Sequence, residues 1–359
     1  MANTFFDKGA HLSFLKKIMG SYNVNVVGFA IIDDYKIVET KTLSQYSEIK
    51  VSDQSLFQAC SLSKSLTAAA VLHLCSKNKI SLGIPLNAQL SLWKIRGQDA
   101  ENVTISQCLS MTSGLCYGDQ NLSFPNYSHD APIPKLMDIL NGVSPAITPS
   151  IKLGTIPGLQ YAYTGTGYMA LQQLIEEQTF MSFDTFMTAC IFPSLIMTHS
   201  TFECPLTKWQ SDAIPGFSAS GEMNPAGWDN IPTSASGGLW STPTDIANFA
   251  IFIAKTYLGE DNSLFPQSLA KEMLRKQKNT NFGLGFVIDQ GSRALNFRKN
   301  GSNSGFNNEI IMFPETGQGV VVMTNSAGGL ALIKEFTAYV AKKLNWPHYQ
   351  PEFDEVALK

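Results

Sequence analysis

Hydrophobic and polar positions follow two different periods along the chain. Residues 24–32 are mostly β-branched or aromatic, residues 36–43 alternate between apolar and polar, and a turn lies between them. This pattern predicts an antiparallel hairpin near the N-terminus. Near the C-terminus, four more segments predict strands, and an amphipathic helix is expected to close the chain at 329–344. The four predicted strands are 282–289, 294–301, 305–313 and 317–325.

The middle of the chain favours helices. Residues 61–77 are rich in alanine and leucine and apolar on most faces, which predicts a buried helix. Shorter helices are predicted at 10–20, 104–111, roughly 133–142 and 166–180, and the loop-rich stretch 116–160 is expected to form a rim over a cleft.

This order of elements predicts an α+β fold. Strands from both termini would form one antiparallel sheet flanked by helices, with a mostly helical region inserted between them. We expect the sheet region to comprise 1–60 and 246–359, the helical region to comprise 61–245, and the active site to lie in the cleft between the two.

Composition narrows the function classes. Hydrophobic residues make up 44% and charged residues 15% of the 359 residues, and the net charge is -3, so neither nucleic acid nor an anionic membrane is an expected partner. The N-terminal residues do not resemble a signal peptide, and no apolar run would span a bilayer, so we expect a cytoplasmic protein. The six cysteines and five histidines show no metal-binding spacing, and we expect no metal and no cofactor.

The strongest candidate for chemistry is the Ser-x-x-Lys motif at Ser61 and Lys64. Residues three apart share one helix face, so an amine with a lowered pKa could take the proton of the serine hydroxyl. The same spacing recurs in more polar segments, and only the motif at Ser61 opens the most hydrophobic helix. The other serines with this spacing are Ser13, Ser47, Ser76, Ser91 and Ser268.

Several other interpretations stay open. Ser61 could be only a helix cap, with Lys64 reaching solvent. Cys60 could be a thiol nucleophile, although core packing is the simpler interpretation. Spacing alone does not exclude a Ser-His-Asp triad that uses Asp245. There is no Gly-x-Ser-x-Gly elbow, and the glycines of 164–168 follow no predicted strand, which disfavours an α/β-hydrolase and a nucleotide site.

Six segments together resemble serine β-lactamases and penicillin-binding proteins, in particular class C β-lactamases and the related esterases and peptidases. The segments occur in the order typical of that family and span most of residues 24–345. They are FQACSLSKSLTAAAV around Ser61, LSMTSGL at 109–115, GLQYAYTGTGYMALQQLIEEQTFMSFDTFM at 158–187, FPSLIMTHSTF at 192–202, SASGGLWSTPTDIANFA at 234–250 and KNGSNSGFNNEIIMFPETGQGVVVMTNS at 299–326.

The resemblance implies a β-lactamase-like fold and a role for each matching residue. Ser61 would form an acyl-enzyme, and Lys64 and Tyr163 would activate it. Lys299 would hold Tyr163 in its reactive form and attract an anionic substrate group. Gly301 would let its strand approach the substrate. The N–H groups of Ser61 and Ser302 would form the oxyanion hole.

The sequence departs from the family pattern at two positions. Gly165 replaces the asparagine of the Tyr-x-Asn motif, which weakens the case for β-lactam hydrolysis. The Lys-Thr-Gly motif reads Lys299-Asn300-Gly301 and keeps its cation. The resemblance therefore implies hydrolysis of an ester or amide, with small-molecule, peptide-like or D-amino-acid-containing substrates. The alternatives are a true β-lactamase or D-alanyl-D-alanine carboxypeptidase, and a non-catalytic binding protein. The sequence leaves the oligomeric state open.

Overall fold

The computed structural model describes residues 8–117, 125–218, 220–278, 280–291, 294–347 and 349. A six-stranded antiparallel sheet forms its centre. Its strands are β1 (Val26–Asp33), β2 (Lys36–Ser44), β7 (Val287–Gly291), β8 (Ala294–Ser302), β9 (Asn307–Phe313) and β10 (Gln318–Thr324). They lie in the order β2-β1-β10-β9-β8-β7. The N-terminal hairpin therefore joins the C-terminal strands in one sheet through the pairing of β1 with β10.

Strand periodicity explains why this sheet is covered on both faces. Successive side chains of a strand point to opposite faces. In β1, Val27 and Phe29 belong to a core cluster shared with the C-terminal helix, whereas Val26 and Ala30 belong to the larger core cluster that extends into the middle of the chain. Both faces are apolar, so a helical layer packs on each.

The remaining elements lie in chain order between and around these strands. The helices are α1 (Lys8–Ser21), α2 (Ser63–Ser76), α3 (Leu86–Gln89), α4 (Ile105–Leu109), α5 (Leu136–Asn141), α6 (Thr166–Thr179), α7 (Phe183–Phe186), α8 (Ser234–Gly237), α9 (Pro243–Leu258), α10 (Gln267–Met273) and α11 (Gly329–Lys343). Helices α1 and α11 belong to one face of the sheet, and α9 packs on β1, β2, β9 and β10 at the other. Short strands β3 (Phe57–Cys60) and β6 (Leu239–Ser241) pair with each other, as do β4 (Leu115–Tyr117) and β5 (Ile151–Leu153). Single turns of 3₁₀ helix lie at Ala100–Asn102 and Pro193–Leu195, and a π-helical turn lies at Met187–Ile191.

Helix α2 is buried, as its composition predicts, but it begins two residues later than expected. The helix starts at Ser63, and its N-cap residue is Leu62, which makes no side-chain capping bond. Ser61 therefore precedes the helix rather than capping it. The delay has a local cause: the Ser63 hydroxyl donates to Cys60 O (2.6 Å), and Leu62 N–H donates to Ala59 O (3.1 Å), which together form a tight turn between β3 and α2.

The strand predicted at 282–289 is also displaced, since β7 begins only at Val287. Residues before it pack against α2 instead of pairing along the sheet. Gly285 has φ +87°, and a Cβ atom there would lie 2.9 Å from the Cβ of Ala68. The carbonyl of Gly285 accepts a hydrogen bond from the Ser65 hydroxyl (2.8 Å). This close approach to α2 requires glycine and breaks the extended conformation.

The α+β prediction is confirmed: one antiparallel sheet assembled from both termini, with helices on its faces and a mostly helical stretch of chain between its two halves. Within the described residues, no helix combines the length and apolar character that crossing a membrane requires.

Candidate active site

Ser61 lies in the turn between β3 and α2, with 6% of its surface exposed. Strand β3 pairs with β6, and the register slips between Gln58 and Cys60. Cys60 adopts φ +51°, a left-handed conformation that is costly for a residue with a Cβ atom. The strained residue ends the strand abruptly and turns the chain, so that Ser61 stands at the junction of a strand and a helix.

Lys64 lies on the first turn of α2 and is completely buried. Its Nζ lies 3.2 Å from Ser61 Oγ and donates to Ser236 O at 2.7 Å. Burial lowers the pKa of the Lys64 amine to about 8; contact with Tyr163 opposes this shift and the charge of Lys299 adds to it. A buried amine that is partly neutral near pH 7 can accept a proton from the adjacent hydroxyl.

Tyr163 joins the two lysines of the site. Its hydroxyl accepts a hydrogen bond from Lys299 Nζ (3.0 Å), and Lys64 Nζ lies 5.2 Å from the centre of its ring. Lys299 is 3% exposed, and burial lowers the pKa of its amine to about 7. The loop before α6, the helix α2 and the sheet strand β8 thus each bring one group to the same place.

Strand β8 approaches the nucleophile turn at Gly301. A Cβ atom on Gly301 would lie 2.2 Å from Ala59 O and 3.2 Å from the backbone nitrogen of Ser61. No side chain would fit there. Asn303 N–H donates to Phe306 O across the end of the β8–β9 ladder. Because backbone groups alternate along a strand, the N–H of Ser302 points away from β9.

Gly165 is buried and is the N-cap residue of α6, with φ -83° and ψ -15°. This conformation is open to any L-residue, so the backbone does not demand glycine here. The carbonyl of Gly165 accepts hydrogen bonds from the N–H groups of Tyr168 and Met169. Gly165, two residues after Tyr163, therefore differs from the asparagine of the Tyr-x-Asn motif in its side chain and not in a backbone conformation that only glycine adopts.

Two groups beside these residues were not identified from the sequence. The carbonyl of Ser236, in α8, accepts from Lys64, and the ring of Phe282 lies 5.2 Å from Lys299 Nζ and packs edge-on to Tyr163 (6.5 Å between ring centres). A backbone carbonyl leaves no signal in the residue type. Phe282 lay within a predicted strand, where an aromatic residue is ordinary.

The structure argues against Cys60 as the nucleophile and against a Ser-His-Asp triad that uses Asp245. Burial raises the pKa of the Cys60 thiol far above its usual range, so this thiol is not a reactive thiolate. The carboxylate of Asp245 accepts from the Ser200 hydroxyl (2.7 Å) and from the backbone N–H of His199 (2.7 Å), and no histidine ring within the described part of the chain donates to it. The described residues include no group of three or more His, Cys, Asp or Glu side chains arranged to hold a metal ion.

Two interpretations based on the sequence alone are excluded by this geometry. Lys64 does not extend to solvent, and Ser61 does not cap a helix.

Comparison with known proteins identifies the family, since the family model described as Beta-lactamase matches residues 13–341. The chain belongs to the Beta-lactamase family. This family of serine hydrolases includes β-lactamases and carboxypeptidases, and the resemblance seen in the six sequence segments is confirmed.

Sequence relatives of this Beta-lactamase family member are distant. Protein flp from Staphylococcus aureus (strain N315) is 27% identical over 199 residues, which cover 55% of this chain and 36% of flp. Penicillin-binding protein 4 from Amycolatopsis lactamdurans is 24% identical over 301 residues, covering 79% of this chain and 75% of that protein. The chain thus matches only about a third of the length of flp.

Solved structures share the fold over nearly the whole chain. The octameric penicillin-binding protein homologue from Pyrococcus abyssi has a TM-score of 0.75 at 22% identity and covers 97% of this chain and 79% of its own. The D-alanine carboxypeptidase AmpC from Burkholderia cenocepacia has a TM-score of 0.74 at 15% identity, covering 94% and 99%. At these identities, the comparison establishes the β-lactamase-like fold.

Proposed function

We propose that this protein is a serine hydrolase that forms an acyl-enzyme at Ser61 and hydrolyses an ester or amide. The observation that carries the proposal is the 3.2 Å contact between Lys64 Nζ and Ser61 Oγ, made by a buried amine whose pKa is lowered to about 8. Such an amine is a general base suited to neutral pH. A helix cap or a structural lysine would need neither the burial nor the contact.

In the proposed acylation step, Lys64 takes the proton of the Ser61 hydroxyl as Oγ attacks the substrate carbonyl. The carbonyl oxygen becomes an oxyanion, which accepts hydrogen bonds from the N–H groups of Ser61 and Ser302. Collapse of this intermediate breaks the bond to the alcohol or amine. The leaving group takes a proton from Tyr163, which regains one from the protonated Lys64 beside it.

Deacylation repeats these steps with water. Lys64 and Tyr163 remove a proton from the water, its oxygen attacks the acyl carbonyl, and the ester bond to Ser61 Oγ breaks. Ser61 is reprotonated and the carboxylic acid leaves. Lys299 keeps the Tyr163 hydroxyl in place through its 3.0 Å hydrogen bond and presents a positive charge to an acidic substrate group.

A second candidate function is favoured by Lys299. A cation at this position suits substrates that carry a carboxylate, as β-lactams and D-alanyl-D-alanine peptides do. Against it stands Gly165, which lacks the side-chain amide that the Tyr-x-Asn motif offers to the substrate. We therefore place ester and simple amide substrates first and penicillin-type substrates second.

The experiment is covalent labelling of wild type and Ser61→Ala with a fluorophosphonate and with a fluorescent penicillin. We expect the fluorophosphonate to label wild type and not Ser61→Ala. Ser63→Ala is the matched control, since Ser63 lies two residues away and its hydroxyl donates to Cys60 O. Labelling of a folded Ser63→Ala protein would show that the reaction is specific to Ser61.

The other outcomes separate the alternatives. Labelling by the penicillin as well would favour a penicillin-recognising enzyme. A folded wild-type protein that neither reagent labels would contradict the proposal and favour a binding protein on the same scaffold. Labelling that persists in Ser61→Ala would place the nucleophile elsewhere.

A further inference from the structure

The two N–H groups of the proposed oxyanion hole come from segments that no backbone ladder joins. Ser61 follows β3, which pairs with β6, whereas Ser302 ends β8, which pairs with β7 and β9. The spacing between the two groups is therefore not set by sheet hydrogen bonds between their strands. An oxyanion hole needs that spacing held closely, because each donor must lie within about 2.7–3.1 Å of one oxygen.

Asn308 connects the two segments. It lies opposite Gly301 in the β8–β9 ladder, and its side-chain Nδ2 donates to Gln58 O (2.9 Å) and, at longer range, to Gly301 O (3.4 Å). Both acceptors are carbonyl oxygens, so the NH₂ end of the amide must face them. One side chain thus bridges the strand that precedes Ser61 and the strand that carries Ser302.

Asn303 makes a second connection just beyond Ser302. Its Oδ1 accepts from the N–H groups of Gly305 and Phe306, which fixes the side chain, and its Nδ2 donates to Gln58 Oε1 (2.8 Å). Gln58 is 3% exposed, and its own Nε2 donates to Asp229 O (2.7 Å). Gln58 therefore accepts hydrogen bonds from both sides of the β8–β9 turn, from Asn303 at its side-chain oxygen and from Asn308 at its backbone carbonyl.

The hydrogen bonds of Asn308 indicate that a contribution to stability does not by itself explain why a buried asparagine occupies this position. Asn308 is 2% exposed, and its Oδ1 has no hydrogen-bond partner among the residues that the structure describes. A buried acceptor without a partner is unfavourable. The residue carries this penalty while its NH₂ group links the two strands at the position where Gly301 approaches Ala59.

We propose that Gln58, Asn303 and Asn308 are positioning residues that fix the separation of the Ser61 and Ser302 N–H groups. The inference rests on the proposed function, because the oxyanion hole is part of it. These side chains act through the backbone and do not touch the reacting atoms. We call the side-chain hydrogen bonds of Gln58, Asn303 and Asn308 the clasp. Loss of the clasp would weaken the hydrogen bonds that form as the carbonyl oxygen becomes negative, and would leave binding of the ground-state substrate nearly unchanged.

The test compares an oxoester with the thionoester that has sulfur in place of the carbonyl oxygen, in wild type and Asn308→Leu. Sulfur is larger and a poor hydrogen-bond acceptor, so an intact oxyanion hole favours the oxoester. For the oxoester we expect Asn308→Leu to lower kcat about 10- to 100-fold with KM changed less than about threefold. The thionoester should lose much less, so the oxo-to-thiono ratio should fall.

Asn307→Leu is the matched control. Asn307 is the neighbouring residue of β9 and is also buried, but its Nδ2 donates to Ser326 O and Ala327 O at 2.9 and 3.1 Å. These contacts lie on the β10 side, so the variant should lose stability while the oxo-to-thiono ratio stays as in wild type. Should Asn308→Leu fail to fold, Gln58→Met keeps the backbone carbonyl and breaks the links to Asn303 and Asp229, with the same expected direction.

The outcomes distinguish this inference from the proposed function. Equal losses of oxoester and thionoester turnover in a folded clasp variant, or an unchanged kcat, would overturn the clasp while fluorophosphonate labelling of Ser61 upheld the proposed function. A wild-type protein in which Ser61 does not react would overturn both. A lowered ratio in Asn307→Leu equal to that in Asn308→Leu would also contradict the inference.

Discussion

Lys64 Nζ lies 3.2 Å from Ser61 Oγ, at the end of a lysine side chain that has no exposed surface. Proximity makes proton transfer possible, and burial makes the amine weak enough as a base to be partly neutral near pH 7. The same burial penalises the charged form in the folded protein. Protonation of the Lys64 amine therefore affects both the activity and the stability of the protein.

The first prediction concerns the pH dependence of turnover. Lys64 must be neutral to accept the proton of Ser61, and its pKa is lowered to about 8. We therefore expect log kcat/KM for a neutral ester to rise with unit slope below about pH 8 and to level off above it. Steady-state rates of a neutral ester between pH 6 and 10 measure this. A profile that is flat from pH 6 to 9 would exclude Lys64 as the base.

The second prediction concerns stability. The pKa of Lys64 is about 8 in the folded protein, below the ordinary value of 10.5 that the unfolded chain retains, so the unfolded state binds more protons between these values. Stability of wild type should rise with pH across this window. Relative to Lys64→Met, wild type should gain about 2 kcal/mol between pH 7 and 10.

Urea unfolding at both pH values measures that difference. Lys152→Met, at an exposed lysine of β5, is the control and should track wild type at both pH values. A stability difference between wild type and Lys64→Met that is the same at pH 7 and 10 would contradict the prediction.

The third prediction concerns substrate charge. Burial lowers the pKa of Lys299 to about 7, so its positive charge is present below pH 7 and is lost as the pH rises through this value. The preference for an anionic ester over a neutral ester, measured as the ratio of their kcat/KM values, should fall about tenfold between pH 6 and 8.5.

Lys299→Met should show a low ratio that does not change with pH, and Lys271→Met, at an exposed lysine of α10, should behave as wild type. A wild-type ratio independent of pH would show that Lys299 does not attract the substrate.

The fourth prediction concerns Gly165. Its φ of -83° and ψ of -15° are a backbone conformation that any L-residue adopts. Gly165→Asn should therefore fold and restore the amide of the Tyr-x-Asn motif. We expect the rate of acylation by a fluorescent penicillin to rise about five- to tenfold, the value of one hydrogen bond. Gly165→Ala, which adds bulk without an amide, should show no rise, and an equal rise in both variants would refute the assigned role.

Much of the fold could be predicted from local patterns. Strand β1 reads as a run of β-branched residues and β9 and β10 as apolar segments separated by a turn, and they form where expected. The predicted division into residues 1–60 with 246–359 and residues 61–245 stays a prediction. Two boundaries are displaced for different reasons. The start of α2 at Ser63 follows from the local turn in which the Ser63 hydroxyl donates to Cys60 O, whereas the start of β7 at Val287 depends on a partner distant in sequence, because Gly285 packs against α2.

For the site, local patterns in the sequence identify which chemical groups are available: a serine and a lysine three residues apart, a tyrosine in a Tyr-x-Asn-like motif, and a lysine and a glycine near the end of a strand. Long-range packing brings these groups together, buries Lys64 and Lys299, and places Ser236 and Phe282 beside them, none of which local patterns predict. Local spacing sets which side chains share a turn, but the pKa of an amine depends on how completely the rest of the chain excludes water from it.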